Sequence, residues 1–209
     1  MTTEGEARTR TIPDRIRPTP AGWESPELEG MLITASEIQS RVRELADEIQ
    51  SQLLVDKPIV ILPVLSGSFL FAADLVRHWR FACEIDFIGL SSYGASTQSG
   101  LIDWTHTIKT DIKDKHVLVI DDILDTGQTL EEVRKELIKH HPKAIHTCVL
   151  LSKTLKTSGS TRFQADSTGF KIPDHFVVGY GLDFALKFRQ LPFIGILSPN
   201  CHGTEVDSY

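Results

Sequence analysis

Cysteine is scarce in this chain, whose 209 residues include only Cys83, Cys148 and Cys201. The three are widely spaced, and none belongs to a C-x-x-C pair, which excludes a disulfide framework and the usual spacing of a zinc site. Cys83 and Cys148 lie within apolar runs, as inert buried thiols do. We therefore expect free thiols in the reducing cytoplasm.

Long hydrophobic runs and an excess of basic residues are also missing. No run of ~18 apolar residues occurs, so no transmembrane helix is expected, and no apolar segment near the N-terminus suggests a secretory signal. The 22 Lys and Arg residues are outnumbered by 28 Asp and Glu, giving a formal net charge of −6. This balance disfavours general nucleic-acid binding. We expect neither a membrane nor a nucleic acid as a partner.

The composition, with 41% hydrophobic residues, suits one domain with a buried core. Residues 1–28 contain four prolines and little apolar periodicity, which predicts an irregular N-terminal extension. The domain is expected over residues 29–200, followed by a tail at 201–209.

Short apolar runs alternate with helical patterns along this domain. Helices are predicted to begin at Ser36, Phe69 and Leu130, and residues 152–172 are predicted to be irregular. The predicted strands cover residues 31–33, 58–65, 83–90, 105–109, 117–120 and 144–151. Such alternation favours an α/β fold, with a mostly parallel twisted sheet flanked by helices. Ligands bind such sheets at the C-terminal ends of the strands, where Ser66-Gly67, Asp121–Thr129 and Lys153 would meet.

The most informative segment reads V-L-V-I-D-D-I-L-D-T-G-Q-T-L, from Val117 to Leu130. A buried strand here runs into two carboxylates, a glycine turn and a helix start. Unpaired amides at a helix start attract an anion, and Gly127 permits the positive φ or close approach that a phosphate cradle needs. Lysine and a second glycine at Walker spacing are absent, which argues against a P-loop.

Carboxylates beside a phosphate cradle indicate a ligand that also carries hydroxyl groups or a divalent cation. Phosphate, ribose hydroxyls and Mg²⁺ together describe a sugar phosphate. The alternative is a buried strand followed by an ordinary capped helix, and the pattern alone leaves that alternative open.

Two segments resemble a known enzyme family. The segment from Val117 to Leu130 resembles the signature of type I phosphoribosyltransferases for 5-phosphoribosyl-1-diphosphate (PRPP). The segment I-P-D-H-F-V-V-G-Y-G-L-D, from Ile172 to Asp183, is similar to that of the hypoxanthine and hypoxanthine-guanine enzymes. The resemblance covers roughly residues 30–197 and implies the type I phosphoribosyltransferase fold, with a small hood lobe formed by N-terminal and C-terminal segments. It also implies transfer of a phosphoribosyl group from PRPP to N9 of a 6-oxopurine, with Mg²⁺ as cofactor.

The resemblance assigns the central motif to catalysis and to PRPP. Asp125 matches the acid that lies against purine N7 and assists loss of a proton from the base. Asp121 and Asp122 match the pair that serves the ribose hydroxyls, directly or through Mg²⁺. The residues that match the 5′-phosphate cradle are Thr126, Gly127, Gln128 and Thr129.

The remaining assignments concern the base, the pyrophosphate and a lid. Lys153 would donate to the 6-oxo group, Phe176 would stack on the base, and the backbone of Val177 would contact the purine edge. The pyrophosphate site would include Ser66, Gly67 and Arg189, with Asp183 near its Mg²⁺. A non-proline cis peptide is expected at Leu65-Ser66, although the family usually has Lys or Arg where this chain has Ser66. The segment that begins Ser91, Ser92, Tyr93 and Gly94 resembles the family's mobile lid.

Two other functions remain alternatives. A regulator that binds nucleotide and RNA on the same fold would lack the acid at Asp125 and would have a basic face. A binding protein without turnover is supported only by Ser66. The choice among hypoxanthine, guanine and xanthine stays open, because all three carry the 6-oxo group. Homodimers and homotetramers are usual in the resembled family.

Overall fold

The computed structural model describes residues 9–53, 58–92, 102–154 and 163–203. Its helices are α1 (Ala35–Gln52), α2 (Phe69–Val76) and α3 (Gln128–Ile138), and a 3₁₀ helix covers Pro199–Gly203. The strands are β1 (Arg10–Thr11), β2 (Leu28–Ile33), β3 (Ile59–Leu65), β4 (Glu84–Ile85), β5 (Ile88–Ser92), β6 (Ile102–His106), β7 (His116–Leu124), β8 (Ala144–Lys153), β9 (Ser167–Ile172), β10 (Val177–Val178) and β11 (Ile194–Leu197).

A mostly parallel sheet forms the centre of the fold, as predicted. Its strand order is β1-β9-β8-β7-β3-β5-β6, with β4 paired to β3. Among the described strands of this sheet, only β6 runs antiparallel to its neighbour. The ends of β3, β7 and β8 are therefore neighbours at one edge, which brings the loops that follow them together.

The central strands bury both faces, which explains their continuous apolar runs. One face packs α1 and α2 against residues such as Ile61, Ile120 and Leu150. The other face packs α3 against the alternate residues, such as Leu62, Val119 and Val149. Helices therefore cover both faces.

A second, antiparallel sheet, which we call the hood, is built from β10, β11 and β2 in that order. Its own apolar cluster includes Met31, Val178, Phe188 and Phe193. The hood places the Ile172–Asp183 segment beside the main sheet, because β9 ends at Ile172 and β10 begins at Val177.

Two helices begin earlier than predicted. Helix α1 starts at Ala35 and not at Ser36, because Thr34 is the N-cap: its side chain accepts from the Glu37 amide, and Glu37 accepts from the Thr34 amide. This reciprocal pair is a capping box. Helix α3 starts at Gln128, ahead of its first apolar residue, because Gly127 ends the preceding turn with φ +91°.

Two predicted strands are longer than expected, since β2 begins at Leu28 and β7 continues through the two carboxylates to Leu124. Three other strand predictions were wrong in detail. Residues 83–90 form two short strands, because the Asp86 carboxylate accepts from the amides of Phe87, Lys109 and Thr110 and interrupts the pairing. The return strand predicted at 105–109 is β6, which begins at Ile102 and ends at His106, before the amides that Asp86 binds.

The third correction is β9, which lies in the segment 152–172 predicted to be irregular. Its polar and small residues hide the apolar pattern, but Ser167 and Thr168 are buried. The fully buried Arg41 of α1 donates to the carbonyls of Thr168 and Gly169 and is paired with Glu48. Tertiary contacts therefore decide the conformation of this segment.

The N-terminal extension is not wholly irregular, since Arg10 and Thr11 form β1 and pair with β9. Within the described residues, no helix is long and apolar enough to span a membrane.

Candidate active site

The loop between β3 and α2 is shaped by close backbone approach. The Leu65-Ser66 peptide is cis, as predicted. A side chain on Gly67 would place its Cβ 1.8 Å from Oδ2 of Asp122, so a larger residue would displace the Asp122 carboxylate or the loop. Gly181 has φ +105°, and its Cβ would lie 2.1 Å from the carbonyl oxygen of Gly67. The β3 loop is thus packed tightly against both the β7 strand and the hood.

Two adjacent carboxylates lie in the last part of β7. Asp121 is buried, and burial together with the neighbouring charge of Asp122 raises the pKa of Asp121 well above its usual range. Burial also raises the pKa of Asp122. Asp121 accepts from the Asp122 amide at 3.0 Å, and Asp122 accepts from the Ile123 amide at 2.8 Å. Asp121 is buried and Asp122 is partly buried, so it is costly for both carboxylates to be charged. The charge of Arg189 lowers the pKa of Asp122 and offsets part of this cost. The pair is therefore suited to ligands that supply further positive charge or hydroxyl donors.

The turn from Asp125 to Thr129 lines a cleft of about 270 Å³ together with Asp121 and Asp122. Gly127 shows both features that the sequence offered as alternatives: its φ is positive, and a Cβ there would lie 2.7 Å from Cβ of Phe163. Thr126 Oγ1 accepts from the Gln128 amide at 3.3 Å. The start of α3 faces this cleft, as a cradle for an anionic group requires.

Lys153, the last residue of β8, reaches the same turn. Its Nζ lies 3.0 Å from Oδ2 of Asp125 and 3.4 Å from Oδ1 of Asp174. The lysine side chain is only 13% exposed, whereas the two carboxylates are about half exposed. A partly buried donor therefore stands beside an acceptor that solvent or a ligand can reach.

Asp183 and Arg189 lie on the far side of the β3 loop. Arg189 contacts Asp183 at 2.8 Å and donates to the carbonyl of Gly181 at 2.6 Å. Both side chains line a cleft of about 490 Å³ with Ser66, Gly67 and Asp122. This cleft shares Gly67 and Asp122 with the smaller one, so the two form a continuous site.

Phe176 and Val177 belong to the turn that enters the hood. Phe176 is 40% exposed, and its ring packs edge-on against Phe184 at a centroid distance of 5.8 Å. Val177 is buried, and its backbone pairs with Ile196 in the hood. The neighbouring contact between Asp174 and Lys153 brings this turn to the β8 end of the site.

Comparison with known proteins shows which family has this arrangement. Residues 33–185 match the family profile described as "Phosphoribosyl transferase domain". The hypoxanthine-guanine phosphoribosyltransferase of Aquifex aeolicus is 43% identical over 163 residues, which are 78% of this chain and 90% of that protein. The chain belongs to the hypoxanthine-guanine phosphoribosyltransferases.

Solved structures of this phosphoribosyltransferase family have the same fold. A hypoxanthine-guanine phosphoribosyltransferase from Bacillus anthracis superposes with a TM-score of 0.76 at 41% identity, over 82% of this chain and 100% of that chain. A hypoxanthine phosphoribosyltransferase from Staphylococcus aureus gives 0.77 at 34% identity, over 85% and 96%. All three relatives are named as transferases, so the RNA-binding regulator finds no support among them.

The phosphoribosyltransferase fold brings most of the predicted site residues into one region. Residues from the β3, β7 and β8 ends and from the hood line or adjoin the two clefts. Ser91 and Ser92 end β5, whereas Tyr93 and Gly94 of the predicted lid lie outside the described residues.

Sequence reasoning missed Asp174, Gly181 and Thr105 as neighbours of the site. Asp174 and Gly181 lie inside the Ile172–Asp183 segment, so that segment held the signal for them. Thr105 lines the larger cleft from β6, and nothing in its local sequence indicates that position.

Proposed function

We propose that this protein transfers the 5-phosphoribosyl group from PRPP to N9 of hypoxanthine, guanine or both, forming the nucleoside monophosphate and pyrophosphate. The observation that carries the proposal is the pairing of Lys153 with Asp125 beside the cradle at the end of β7. A 6-oxopurine that carries its imidazole proton on N7 presents a carbonyl acceptor at C6 and an N–H donor at N7 along one edge. A lysine donor and a carboxylate acceptor complement that edge. Adenine presents an amino donor at C6, which Lys153 cannot accept.

The PRPP site follows from the two clefts. The start of α3, with Thr126, Gly127, Gln128 and Thr129, would receive the 5′-phosphate through amides and hydroxyls. Ser66 and Gly67 would receive the pyrophosphate through the backbone of the β3 loop. Arg189, which lines the same cleft, provides a guanidinium suited to phosphate oxygens.

The donor set fits Mg²⁺ bound jointly with the substrate. Within the described ranges, no group of three or more His, Cys, Asp or Glu side chains is arranged to hold a metal alone. Mg²⁺ characteristically uses one or two carboxylates together with substrate phosphates. Asp121 and Asp122 in the smaller cleft, and Asp183 in the larger one, would supply them. When bound, it would neutralise charge on the leaving pyrophosphate.

The reaction follows from these positions. The bond between C1 of the ribose and the pyrophosphate oxygen breaks, and the oxygen keeps the electron pair. The lone pair of N9 forms the new bond to C1, and the proton on N7 passes to the Asp125 carboxylate. Lys153 stabilises negative charge on the 6-oxo group as that proton leaves. Most of the catalytic effect is positioning and charge neutralisation.

The base would lie between Lys153 and the hood. The exposed ring of Phe176 offers an apolar face for stacking, and the backbone of Val177 adjoins it. Two of the relatives reported above are named for hypoxanthine and guanine, and one is named for hypoxanthine alone. The choice between these bases, which differ at C2, is therefore a question for the assay below.

A base panel tests the proposed function. Purified protein is incubated with PRPP, Mg²⁺ and, separately, hypoxanthine, guanine, xanthine, adenine and uracil, and nucleotide formation is followed. We expect turnover of 6-oxopurines that stops on chelation of the metal. Absence of turnover with every base, while PRPP or nucleotide still binds, would favour a binding protein without catalysis.

We also infer a homodimer or homotetramer in the cytoplasm. The support is the family resemblance together with the free thiols of Cys83 and Cys148, which suit a reducing compartment. Light scattering during size-exclusion chromatography tests the assembly, and a monomer at assay concentration would contradict it.

A further inference from the structure

Residues 10–17, which we call the strap, precede the family-matched region and contact both sheets. The match to the phosphoribosyltransferase profile begins at residue 33. The relatives reported above align with 78–85% of this chain but with 90–100% of their own length. The strap therefore lies outside the residues that match the family profile.

On the main sheet, the strap pairs with the strand that supports Lys153. Thr11 is opposite Lys171 in β9, and the Ile12 amide donates to the Lys171 carbonyl at 2.8 Å. Ile172, the next residue of β9, is opposite Lys153 in β8. The strap strand β1 is thus next to β9 in the sheet, and β9 separates it from β8, which carries the proposed base-binding lysine.

On the hood, the strap is bound to β2. The Arg17 amide donates to the Met31 carbonyl at 2.9 Å, and the Met31 amide donates to the Arg17 carbonyl at 2.8 Å. A Cβ on Gly30 would lie 2.4 Å from Cγ2 of Ile16, so glycine is required for this approach. The Arg17 guanidinium also pairs with Glu37 at 2.5 and 2.9 Å, which ties the strap to the start of α1.

Between these attachments, the strap contacts the turn that carries Phe176. Oδ1 of Asp14 lies 2.7 Å from Nε2 of His175. His175 stands between Asp174, which contacts Lys153, and Phe176, which is proposed to stack on the base. This hydrogen-bond contact therefore connects the strap to the centre of the base-binding turn.

The turn at 173–176 joins β9 of the main sheet to β10 of the hood, and the strap spans the same two sheets. We propose that the strap, through the pair of Asp14 and His175, positions the 173–176 turn for the purine base. The proposal rests on the proposed function. It makes Asp14 and His175 positioning residues for the base and not for PRPP, whose proposed site lies on the β3 and β7 loops and at Asp183 and Arg189.

The test compares Asp14→Asn, His175→Ala and the double variant with Glu24→Gln. Glu24 is a matched control, since it is an exposed acid near the strap whose carboxylate accepts from the Gly22 amide in its own segment. We expect each single variant to raise KM for hypoxanthine roughly two- to fivefold, the range of an exposed ion pair, with KM for PRPP unchanged. Because the two residues act as a pair, the double variant should add no further increase.

A further variant tests the backbone pairing between the strap and β9 without changing any charge. Ile12→Pro removes the amide that donates to Lys171, and we expect a larger rise in KM for hypoxanthine than for PRPP. Melting temperatures recorded for every variant separate this effect from loss of folded protein.

The outcomes distinguish the two proposals. Wild-type protein that forms no nucleotide from any base would refute the proposed function and the strap proposal with it. An active wild type whose strap variants keep KM for hypoxanthine, or raise both KM values equally, would refute the strap proposal alone.

Discussion

Replacing Asp125 with asparagine removes one negative charge and the proposed proton acceptor while keeping the shape of the side chain. The phosphate cradle should survive, because Gly127 keeps its backbone conformation and the Thr126 hydroxyl still accepts from the Gln128 amide. We therefore expect PRPP to bind Asp125→Asn with an affinity close to that of the wild type.

The expected loss of turnover follows from the role of the carboxylate. General acid–base catalysis contributes typically about 10²- to 10⁴-fold, which corresponds to roughly 2.7–5.5 kcal/mol of transition-state stabilisation at 1.36 kcal/mol per decade. We therefore expect kcat with hypoxanthine to decrease by about 10²- to 10⁴-fold in Asp125→Asn. Initial rates of inosine monophosphate formation give kcat, and calorimetric titration gives the affinity for PRPP.

Asp174→Asn is the matched control for this experiment. Asp174 contacts the same Lys153 ammonium at 3.4 Å and loses the same charge, but it does not line the cleft at the β7 turn. If Asp125 acted only by pairing with Lys153, the two variants would have similar effects. Near-normal kcat in Asp125→Asn, or an equal loss in Asp174→Asn, would refute the proton-acceptor role.

Three further predictions follow from single contacts. Lys153→Gln should lower kcat/KM for hypoxanthine by about 10- to 100-fold, the value of a hydrogen bond from a charged donor, and should leave KM for PRPP unchanged in initial-rate assays. Gly67→Ala should raise KM for PRPP by about tenfold or more, because its Cβ would lie 1.8 Å from the Asp122 carboxylate, and either that carboxylate or the β3 loop must move. Hydrogen bonds from Arg17 lower the pKa of Glu37 to about 2, so Glu37→Gln should destabilise the fold by roughly 1 kcal/mol above pH 5, after allowance for solvent screening. That difference should disappear as pH falls from about 4.5 to about 2, since protonation then removes the same charge from the wild type; urea unfolding at a series of pH values measures it.

Each of these predictions has an outcome that contradicts it. An equal loss of hypoxanthine and PRPP affinity in Lys153→Gln would mean that the lysine supports the whole site. Unchanged KM for PRPP in Gly67→Ala would show that the β3 loop does not contact the pyrophosphate. A stability difference for Glu37→Gln that persists at pH 2 would mean that the contact with Arg17 does not depend on the carboxylate charge.

The central motif could be predicted from sequence because its structure is local. The apolar residues 117–120, the two carboxylates and Gly127 define a strand, a turn and a helix start within one short segment. The positive φ of Gly127 and the position of the motif at the end of β7 followed from that pattern. The cis peptide at Leu65-Ser66 followed from the family resemblance and not from the residues themselves.

The missed features depend on contacts between distant segments. Strand β9 was missed because Thr168 and Gly169 interrupt its apolar pattern, and only the buried Arg41 and the pairing with β8 make it a strand. The contact of Asp174 with Lys153 depends on that same pairing. The strap was missed because its two-residue strand has no pattern of its own and forms only against β9.

The ratio of kcat/KM for hypoxanthine to kcat/KM for adenine tests the central claim most directly. When a 6-amino purine binds in a site built to donate a hydrogen bond to a 6-oxo group, the buried donor of the site is left without an acceptor. This lowers kcat/KM on the order of 10³-fold or more. We predict at least that ratio for the wild type, with PRPP saturating and pyrophosphate released in equal amount to nucleotide. Comparable use of adenine, or no nucleotide from hypoxanthine, would contradict the assignment of Lys153 and Asp125 to the purine edge.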